Sequence, residues 1–272
     1  MTAIGILGCG SIGREIALAV QQGKAGDAKI VGLFDQVQGS ASLLAKDLGI
    51  SVIATESIEE FLSIAELAFV VECASPQAVY DYSAKILSAE KDLLVMSSGA
   101  LVSNDFTDKL YKLAKSLNLR LIIPSGALGG IDAIKAVKHE LETVTLTTIK
   151  PPRGLKGAPG FKKWEDTQIL KSTIIFEGPA IEATKLFPAN VNVAATLGLA
   201  GLGSLNTIIK IIADPKAKNN THIVQAVGSM GKLQFVMELE PHPTNPKTSS
   251  LAIYSAIQAI QERCNQDIRI GT

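Results

Sequence analysis

The chain has 272 residues, of which 47% are hydrophobic and 19% are charged, so it can bury a substantial core and is too apolar to be disordered throughout. Lys and Arg number 26 and Asp and Glu number 26, so the net charge is zero and supplies no general attraction to nucleic acid or to an anionic membrane. No stretch reaches the roughly 18 uninterrupted apolar residues of a membrane-spanning helix.

The three cysteines, Cys9, Cys73 and Cys264, are far apart and lack Cys-x-x-Cys spacing, which argues against a zinc ribbon or a disulfide framework. Reduced thiols are typical of a cytoplasmic protein. The first residues have no charged leader followed by an apolar core, so we expect no secretion.

The first half of the chain alternates short β-rich runs with longer helical patterns. Predicted strands and helices follow in the order Ala3–Leu7, helix Ser11–Gln22, Lys29–Phe34, helix Ser40–Leu48, Ser51–Ile53, Leu67–Glu72, helix Gln77–Ala89, Asp92–Met96, helix Phe106–Leu117 and Arg120–Ile123. Such alternation favours an α/β fold, with parallel strands joined by right-handed helical crossovers.

A second unit is predicted from residue 129 onwards. Its elements are helix Ile131–Ala136, strand Val144–Ile149, an irregular exposed segment Pro151–Gly160, strand Ser172–Glu177, helix Val193–Ile212, strands His222–Ser229 and Lys232–Leu239, and helix Ser249–Gln261. We therefore divide the chain into domains 1–128 and 129–272, which leaves the C-terminal helix able to pack back on the first.

A glycine-rich loop joins the first strand to the first helix. Gly8 permits a tight turn, Gly10 removes a side chain where a pyrophosphate would approach, and Gly13 lets helix and strand pack closely. Ser11 and Ile12 open the helix, whose N-terminus would face the anion. This loop predicts a dinucleotide, whereas the competing interpretation is an ordinary turn.

Asp35 follows the second strand, where an acidic side chain can accept hydrogen bonds from both ribose hydroxyls of an adenosine. The next residues are Gln36 and Val37 rather than Arg, so NAD is favoured and NADP stays open. The alternative role for Asp35 is a helix cap.

Two later strand ends carry small residues that could contact the cofactor. Ala74 and Ser75 follow one strand and Ser97 follows the next, and ligands of open α/β sheets lie beyond the carboxyl ends of strands. Alternatively, these residues have only a structural role in their loops, since serine also caps turns and helices.

Five motifs together resemble the L-aspartate dehydrogenase family. They are G-C-G-S-I-G, V-E-C-A-S-P, P-S-G-A-L-G-G-I-D-A-I-K-A, F-P-A-N-V-N-V-A-A-T and H-P-T-N-P-K-T-S, in that order between residues 4 and 259. The first is shared by many nucleotide-binding proteins, but the later four are much more restrictive.

The resemblance implies a Rossmann-type doubly wound parallel sheet followed by a second α/β (α+β) domain that binds substrate and mediates dimerisation. It also implies oxidation of L-aspartate to iminoaspartate with NAD or NADP, at the start of a route to quinolinate. Carried over by motif, Ala127 and Asn192 would contact the cofactor and His222 would be the catalytic histidine.

A histidine suits this chemistry because its ordinary pKa of about 6.5 lets it take a proton from the water that attacks the imine. His139 lies in a charged helix end or turn and is expected at the surface. His242, between two prolines, is the rival of His222 and a candidate for substrate binding.

A dicarboxylate substrate needs cations or backbone donors. Lys135, Lys247 and a helix that starts at Thr248 could supply them, and Asn190 could bind substrate or nicotinamide. Each has a plainer role: Lys135 as an exposed helix residue, Lys247 as a residue before a cap, and Asn190 as an N-cap.

No His, Cys and acid cluster has metal-ligand spacing, and Gly-x-Ser-x-Gly is absent, so we predict neither a metal site nor a serine nucleophile. The competing functions are a homoserine-dehydrogenase-like or dihydrodipicolinate-reductase-like enzyme and a protein that senses NAD without turnover. Activity measured with aspartate, homoserine and other amino acids would distinguish between the enzymes. A His222 variant that still binds the cofactor but has lost turnover would distinguish an enzyme from a protein that only senses NAD.

Overall fold

The structure, a computed structural model, describes residues 1–49, 51–188, 191–240 and 249–265. Within those ranges the chain forms two compact units. The first comprises residues 1–100 and 105–124 and the described residues from Ile253 onwards, and the second comprises residues 101–104 and the described residues of 125–252. None of the described helices combines the length and the apolar character that a membrane crossing requires.

In the described ranges, the first unit holds a six-stranded sheet of order β3-β2-β1-β4-β5-β6, and all neighbours are parallel. The strands are β1 (Thr2–Leu7), β2 (Ala28–Phe34), β3 (Ile53–Thr55), β4 (Phe69–Glu72), β5 (Asp92–Val95) and β6 (Leu121–Ile122). Every residue of β4 and β5 is buried, as expected for strands covered on both faces. The strand order reverses between β1 and β4, which confirms the predicted doubly wound fold.

The helices that connect these strands are α1 (Ser11–Gln21), α2 (Ser40–Leu48), α3 (Ile58–Leu62), α4 (Pro76–Ser88) and α5 (Asn104–Ser116). α1 buries Ile16, Ala17 and Val20 on one face, following the helical period of its apolar residues. α3 is not predicted because it has only five residues, too few to show a helical period. Its N-cap is Ser57, whose hydroxyl accepts a hydrogen bond from the Glu60 N–H group at 3.3 Å.

The helix near the C-terminus, α9 (Ser250–Cys264), contributes to the core of the first unit. Ile253, Ala256 and Ile260 recur at helical spacing and pack with the strands of the parallel sheet. Near the end of the helix, Arg263 forms an ion pair with Asp92 of β5. The chain therefore contributes its last described residues, from Ile253 onwards, to the first unit.

In the described ranges, the second unit holds a five-stranded mixed sheet of order β11-β10-β7-β9-β8. The strands are β7 (Leu141–Lys150), β8 (Thr173–Pro179), β9 (Thr207–Ala213), β10 (Asn220–Gly228) and β11 (Gly231–Leu239). β7 is parallel to β9, and the other neighbours are antiparallel.

One face of this sheet carries the core of the second unit. Along β7 every second residue from Val144 to Lys150 is buried, and β9 and β10 alternate in the same way. The helices α6 (Ile131–Ala136), α7 (Ala180–Leu186) and α8 (Val191–Ala200) supply the side chains that pack on it.

The predicted helix Val193–Ile212 is wrong in its second half. The helix ends at Ala200, and after the turn around Gly203 the chain enters β9. The error arises because a continuous apolar run does not reveal its period, and the β-branched residues of Thr207–Ala213 were outweighed by the length of the run.

The segment Pro151–Gly160 forms 3₁₀ turns at Pro152–Gly154 and from Pro159 onwards, in agreement with the predicted irregular structure. Half of its residues are exposed, but Leu155 is 3% exposed and packs in the core of the second unit. The other predicted strands and helices are confirmed to within three residues at each end.

Candidate active site

The glycine loop takes the conformation that its residues predicted. Gly8 has φ +102°, and a Cβ there would lie 2.7 Å from the backbone nitrogen of Ala74. A Cβ on Gly13 would lie 2.0 Å from the Gly8 carbonyl oxygen, so only glycine allows α1 to start this close to β1. A Cβ on Gly10 would meet no atom within 4 Å, which leaves open space beside the loop.

Ser11, Ile12 and Gly13 form the first turn of α1, and their N-cap, Gly10, has no side chain to satisfy the first N–H groups. No acidic residue lies in this first turn. Such a helix N-terminus attracts an anion through its N–H groups and its dipole.

Asp35 lies directly after β2 and is held by two backbone donors. Its Oδ2 accepts a hydrogen bond from the Cys9 N–H group at 2.7 Å, and its Oδ1 accepts one from the Val37 N–H group at 2.8 Å. Each oxygen retains a second lone pair, so the fixed carboxylate can still accept from ribose hydroxyls. Burial, reinforced by the Asp35 charge, raises the pKa of the Cys9 thiol to about 12, which leaves that thiol unreactive.

A cavity of about 220 Å³ lies over the carboxyl ends of these strands. It brings together five residues predicted to bind the cofactor, Gly8, Gly10, Asp35, Ala74 and Ser75. Sequence reasoning missed Tyr82, which also lines the cavity and whose ring stands edge-on to Phe34 at 5.4 Å between centroids. The open space at Gly10, the N-terminus of α1 and the fixed carboxylate all fit a dinucleotide.

A buried carboxylate that sequence reasoning did not identify organises the loops around this cavity. Glu72, at the end of β4, accepts hydrogen bonds from the Ala74 N–H, the Ser75 N–H, the Ser97 N–H and the Ser97 hydroxyl, at 2.8–3.1 Å. Burial raises the pKa of Glu72, while these four donors act in the opposite direction by stabilising the charged form. The Ser97 hydroxyl thus holds Glu72, and its predicted contact with a cofactor stays a prediction.

His222 lies on the buried face of β10 and is 6% exposed. Its direct partner across the sheet is Thr148 of β7, and the Thr148 Oγ1 lies 3.0 Å from His222 Nδ1. Burial, with a smaller contribution from the positive charge of Lys150, lowers the pKa of His222 to about 4. The imidazole is therefore neutral at neutral pH, and Thr148 fixes the orientation of its ring.

Lys150, the last residue of β7, is a functional candidate that sequence reasoning missed. It lies on the same buried face as Thr148 and is 7% exposed. Burial lowers the pKa of Lys150 to about 8. Only the register of β7 against β10 places this lysine near His222, so no local sequence signal could have identified it.

The remaining predicted residues of the second unit occupy different environments. Ala127 is 8% exposed, Asn192 is exposed in the first turn of α8, and Lys135 is exposed in the last turn of α6. His139 lies exposed in a 3₁₀ turn, as predicted.

Four predicted substrate-binding residues lie outside the described residues: Asn190, His242, Lys247 and Thr248. In the part of the chain that is described, no group of three or more His, Cys, Asp and Glu residues could hold a metal ion.

Two family profiles match the chain. Residues 8–124 match "Homoserine dehydrogenase, NAD binding domain", and residues 132–263 match "Aspartate dehydrogenase, C-terminal". Curated relatives match over their whole length: the L-aspartate dehydrogenase of Methanosarcina mazei is 44% identical and that of Nitrosopumilus maritimus is 40% identical, each with 100% of both chains covered.

Among solved structures, the aspartate dehydrogenase of Thermotoga maritima superposes with a TM-score of 0.78 at 30% identity, covering 99% of each chain. A homoserine dehydrogenase from Thiobacillus denitrificans superposes with a TM-score of 0.60 at 11% identity, covering 96% of this chain and 72% of that one. The second similarity concerns the fold alone.

Proposed function

Because the chain belongs to the L-aspartate dehydrogenase family, we propose that it oxidises L-aspartate to iminoaspartate, which water then converts to oxaloacetate and ammonia. The observation that carries this proposal is the identity of about 40% over the full length of curated L-aspartate dehydrogenases. The cavity at the glycine loop and the buried neutral imidazole of His222 support it from the structure.

The chain binds a nicotinamide dinucleotide through the first unit, and we assign cofactor binding to residues 1–128 and catalysis to residues 129–272. When bound, the dinucleotide supplies the hydride acceptor. We assign its pyrophosphate to the first turn of α1 and its adenosine ribose to Asp35. Ala74, Ser75, Ser97, Ala127 and Asn192 remain our candidates for further contacts with the cofactor.

His222 is the proposed base. If Nδ1 carries the ring proton and donates it to Thr148 Oγ1, Nε2 is left as an acceptor. Nε2 then takes one proton from the water that attacks the imine carbon of iminoaspartate. Thr148 acts as a positioning residue, because it fixes the tautomer and the ring plane.

Three further proposals concern the protein as a whole. We place it in the cytoplasm, in keeping with its free thiols at Cys9, Cys73 and Cys264. We place the reaction at the start of a route to quinolinate and NAD, on the strength of the family resemblance. We also propose a homodimer, since Val227 and Val236 expose apolar surface on β10 and β11.

The proposed function is tested by following NAD and NADP reduction at the near-ultraviolet absorbance of the reduced nicotinamide. L-Aspartate should support turnover far faster than L-homoserine, L-alanine or L-asparagine. Production of oxaloacetate and ammonia in equal amounts would identify the products. No activity with L-aspartate and either cofactor would refute the proposal.

A further inference from the structure

Lys150 lies at the polar end of an otherwise apolar sheet face. The buried residues that precede it on β7 are Val144, Leu146 and Thr148, and the face becomes polar only at Thr148 and Lys150. His222 lies opposite Thr148, so Lys150 is its diagonal neighbour across the two antiparallel strands. Diagonal residues on one face are roughly 7–8 Å apart, within reach of a long side chain.

Lys150 is 7% exposed, and within the described part of the chain its ammonium group has no ion-pair partner. Over residues 1–49, 51–188, 191–240 and 249–265, the ion pairs of the structure involve other cations, and no hydrogen bond reaches Lys150 Nζ. The side chain stem is covered by the following turn, since a Cβ on Gly154 would lie 3.8 Å from Lys150 Cβ. Most buried cations are paired with a carboxylate, because an unpaired one loses its hydration without compensation.

An unpaired buried cation lowers the folding stability of the ligand-free protein. Its presence is therefore better explained by a role in binding than by a role in stability. The substrate of the proposed reaction carries two carboxylates, and an ammonium group excluded from water binds a carboxylate far more strongly than an exposed one does. The exposed Lys135 of α6 offers no such environment.

We propose that Lys150 is a substrate-binding residue whose ammonium group forms an ion pair with one carboxylate of the dicarboxylate substrate, beside the imidazole of His222. This inference rests on the proposed function, because it takes L-aspartate as the substrate. It adds a specificity role, since an analogue without a carboxylate at this position would leave the buried charge uncompensated.

The ion pair also links substrate binding to the histidine. In the ligand-free protein, burial and then the charge of Lys150 lower the pKa of His222. A carboxylate bound at Lys150 offsets that charge and so makes the imidazole a stronger base when substrate is present. The base is therefore strengthened only in the complex that needs it.

The test compares Lys150→Met with Lys210→Met. Methionine keeps a long apolar stem and removes the charge. Lys210 lies on β9 of the same sheet, but it is only partly buried and is already paired with Glu177 at 3.1 Å, so its variant is the matched control. Measurements are KM and kcat for L-aspartate, the Kd of succinate for the NAD complex by calorimetry, the Kd of NAD, and the melting temperature.

For Lys150→Met we expect KM for L-aspartate and the Kd of succinate to rise at least about 30-fold, with the Kd of NAD unchanged within about twofold. The ligand-free variant should melt at or above the temperature of the parent, since an unpaired buried charge has been removed. The Lys210→Met variant should match the parent in all five quantities.

Lys150→Arg separates binding from proton transfer, because arginine keeps the charge but does not act as a base at accessible pH. We expect it to restore part of the succinate affinity. Unchanged KM and succinate affinity in Lys150→Met would overturn the inference.

Failure of the proposed function gives a different result. In that case the parent itself shows no turnover of L-aspartate. If the parent oxidises L-aspartate and Lys150→Met has the same KM as the parent, the proposed function stands. Only the proposed role of Lys150 is then refuted.

Discussion

At the scale of single residues, the Asp35 carboxylate is fixed by the N–H groups of Cys9 and Val37 and lines the cavity beside the glycine loop. We expect Asp35→Ala to reduce the preference for NAD over NADP by about 10- to 100-fold. The variant loses charge-assisted hydrogen bonds to the ribose of about 1.5–3 kcal/mol and no longer repels a 2′-phosphate.

The measurement is the ratio of kcat/KM for NAD to that for NADP. Asp27→Ala is the control, since Asp27 is an exposed carboxylate at the opposite end of β2. A ratio that is the same in the parent and in Asp35→Ala would show that this carboxylate does not select the cofactor.

His222 and Thr148 form a second residue-scale unit, because the histidine needs an orienting partner to present Nε2. We expect His222→Asn to lower kcat by about 10²–10⁴, the usual contribution of general acid–base catalysis, and to leave the Kd of NAD within about twofold. Thr148→Val should lower kcat less, since it loosens the ring without removing it.

Steady-state kinetics and cofactor titration by fluorescence give these values. His139→Asn, at an exposed histidine of the same unit, should behave like the parent. Full turnover by His222→Asn would exclude this histidine from proton transfer.

At the scale of elements, the turn from β1 into α1 contains two glycines that are needed for different reasons. Gly13 is required by packing, because its Cβ would overlap the Gly8 carbonyl oxygen. Gly10 has a φ of −75° and open space at its Cβ position, so the free protein tolerates a side chain there. In the complex, the same space is the predicted location of the pyrophosphate.

We therefore expect opposite results from two alanine substitutions. Gly13→Ala should lower the free energy of unfolding by about 1–3 kcal/mol or more through overpacking. Gly10→Ala should change it by less than about 0.5 kcal/mol yet weaken NAD binding at least tenfold. Urea unfolding and NAD titration give both quantities. Equal NAD affinity in Gly10→Ala and the parent would place the pyrophosphate elsewhere.

At the scale of the whole molecule, two buried titratable groups make stability depend on pH. The pKa of His222 falls from 6.5 to about 4 on folding, so between these values the unfolded chain binds the extra proton. The free energy of unfolding then decreases as pH falls through this window. The pKa of Lys150 falls from 10.5 to about 8, so the same free energy increases as pH rises from 8 towards 10.5.

Each shift corresponds to about 3 kcal/mol across its window. The unfolding free energy of the parent should therefore fall relative to that of His222→Asn as pH falls from 6.5 to 4. The difference between Lys150→Met and the parent should narrow as pH rises from 8 to 10.5. Urea unfolding at intervals of half a pH unit measures both differences. Differences that stay constant with pH would mean that these groups titrate as exposed side chains.

How much of this protein could be predicted differs between its two units. The parallel sheet, its crossover helices except α3, the glycine loop and Asp35 were predicted, because strand, turn, helix and acid follow one another along the chain and each has a local signal. The strand Thr207–Ala213 was taken for a helix, since its assignment depends on pairing with β7 and β8, which are far away in sequence.

The sequence by itself determined the α/β class, the position of the cofactor loop and, through its motifs, the family. Only the tertiary structure decided which polar groups are buried: the Glu72 carboxylate beneath the loops, and the Lys150 ammonium beside His222. The physical reason is that a residue's own type sets its chemistry, whereas burial and strand register come from contacts between distant segments. The loss of solvent and the charge of a neighbour that shift these pKa values exist only after folding.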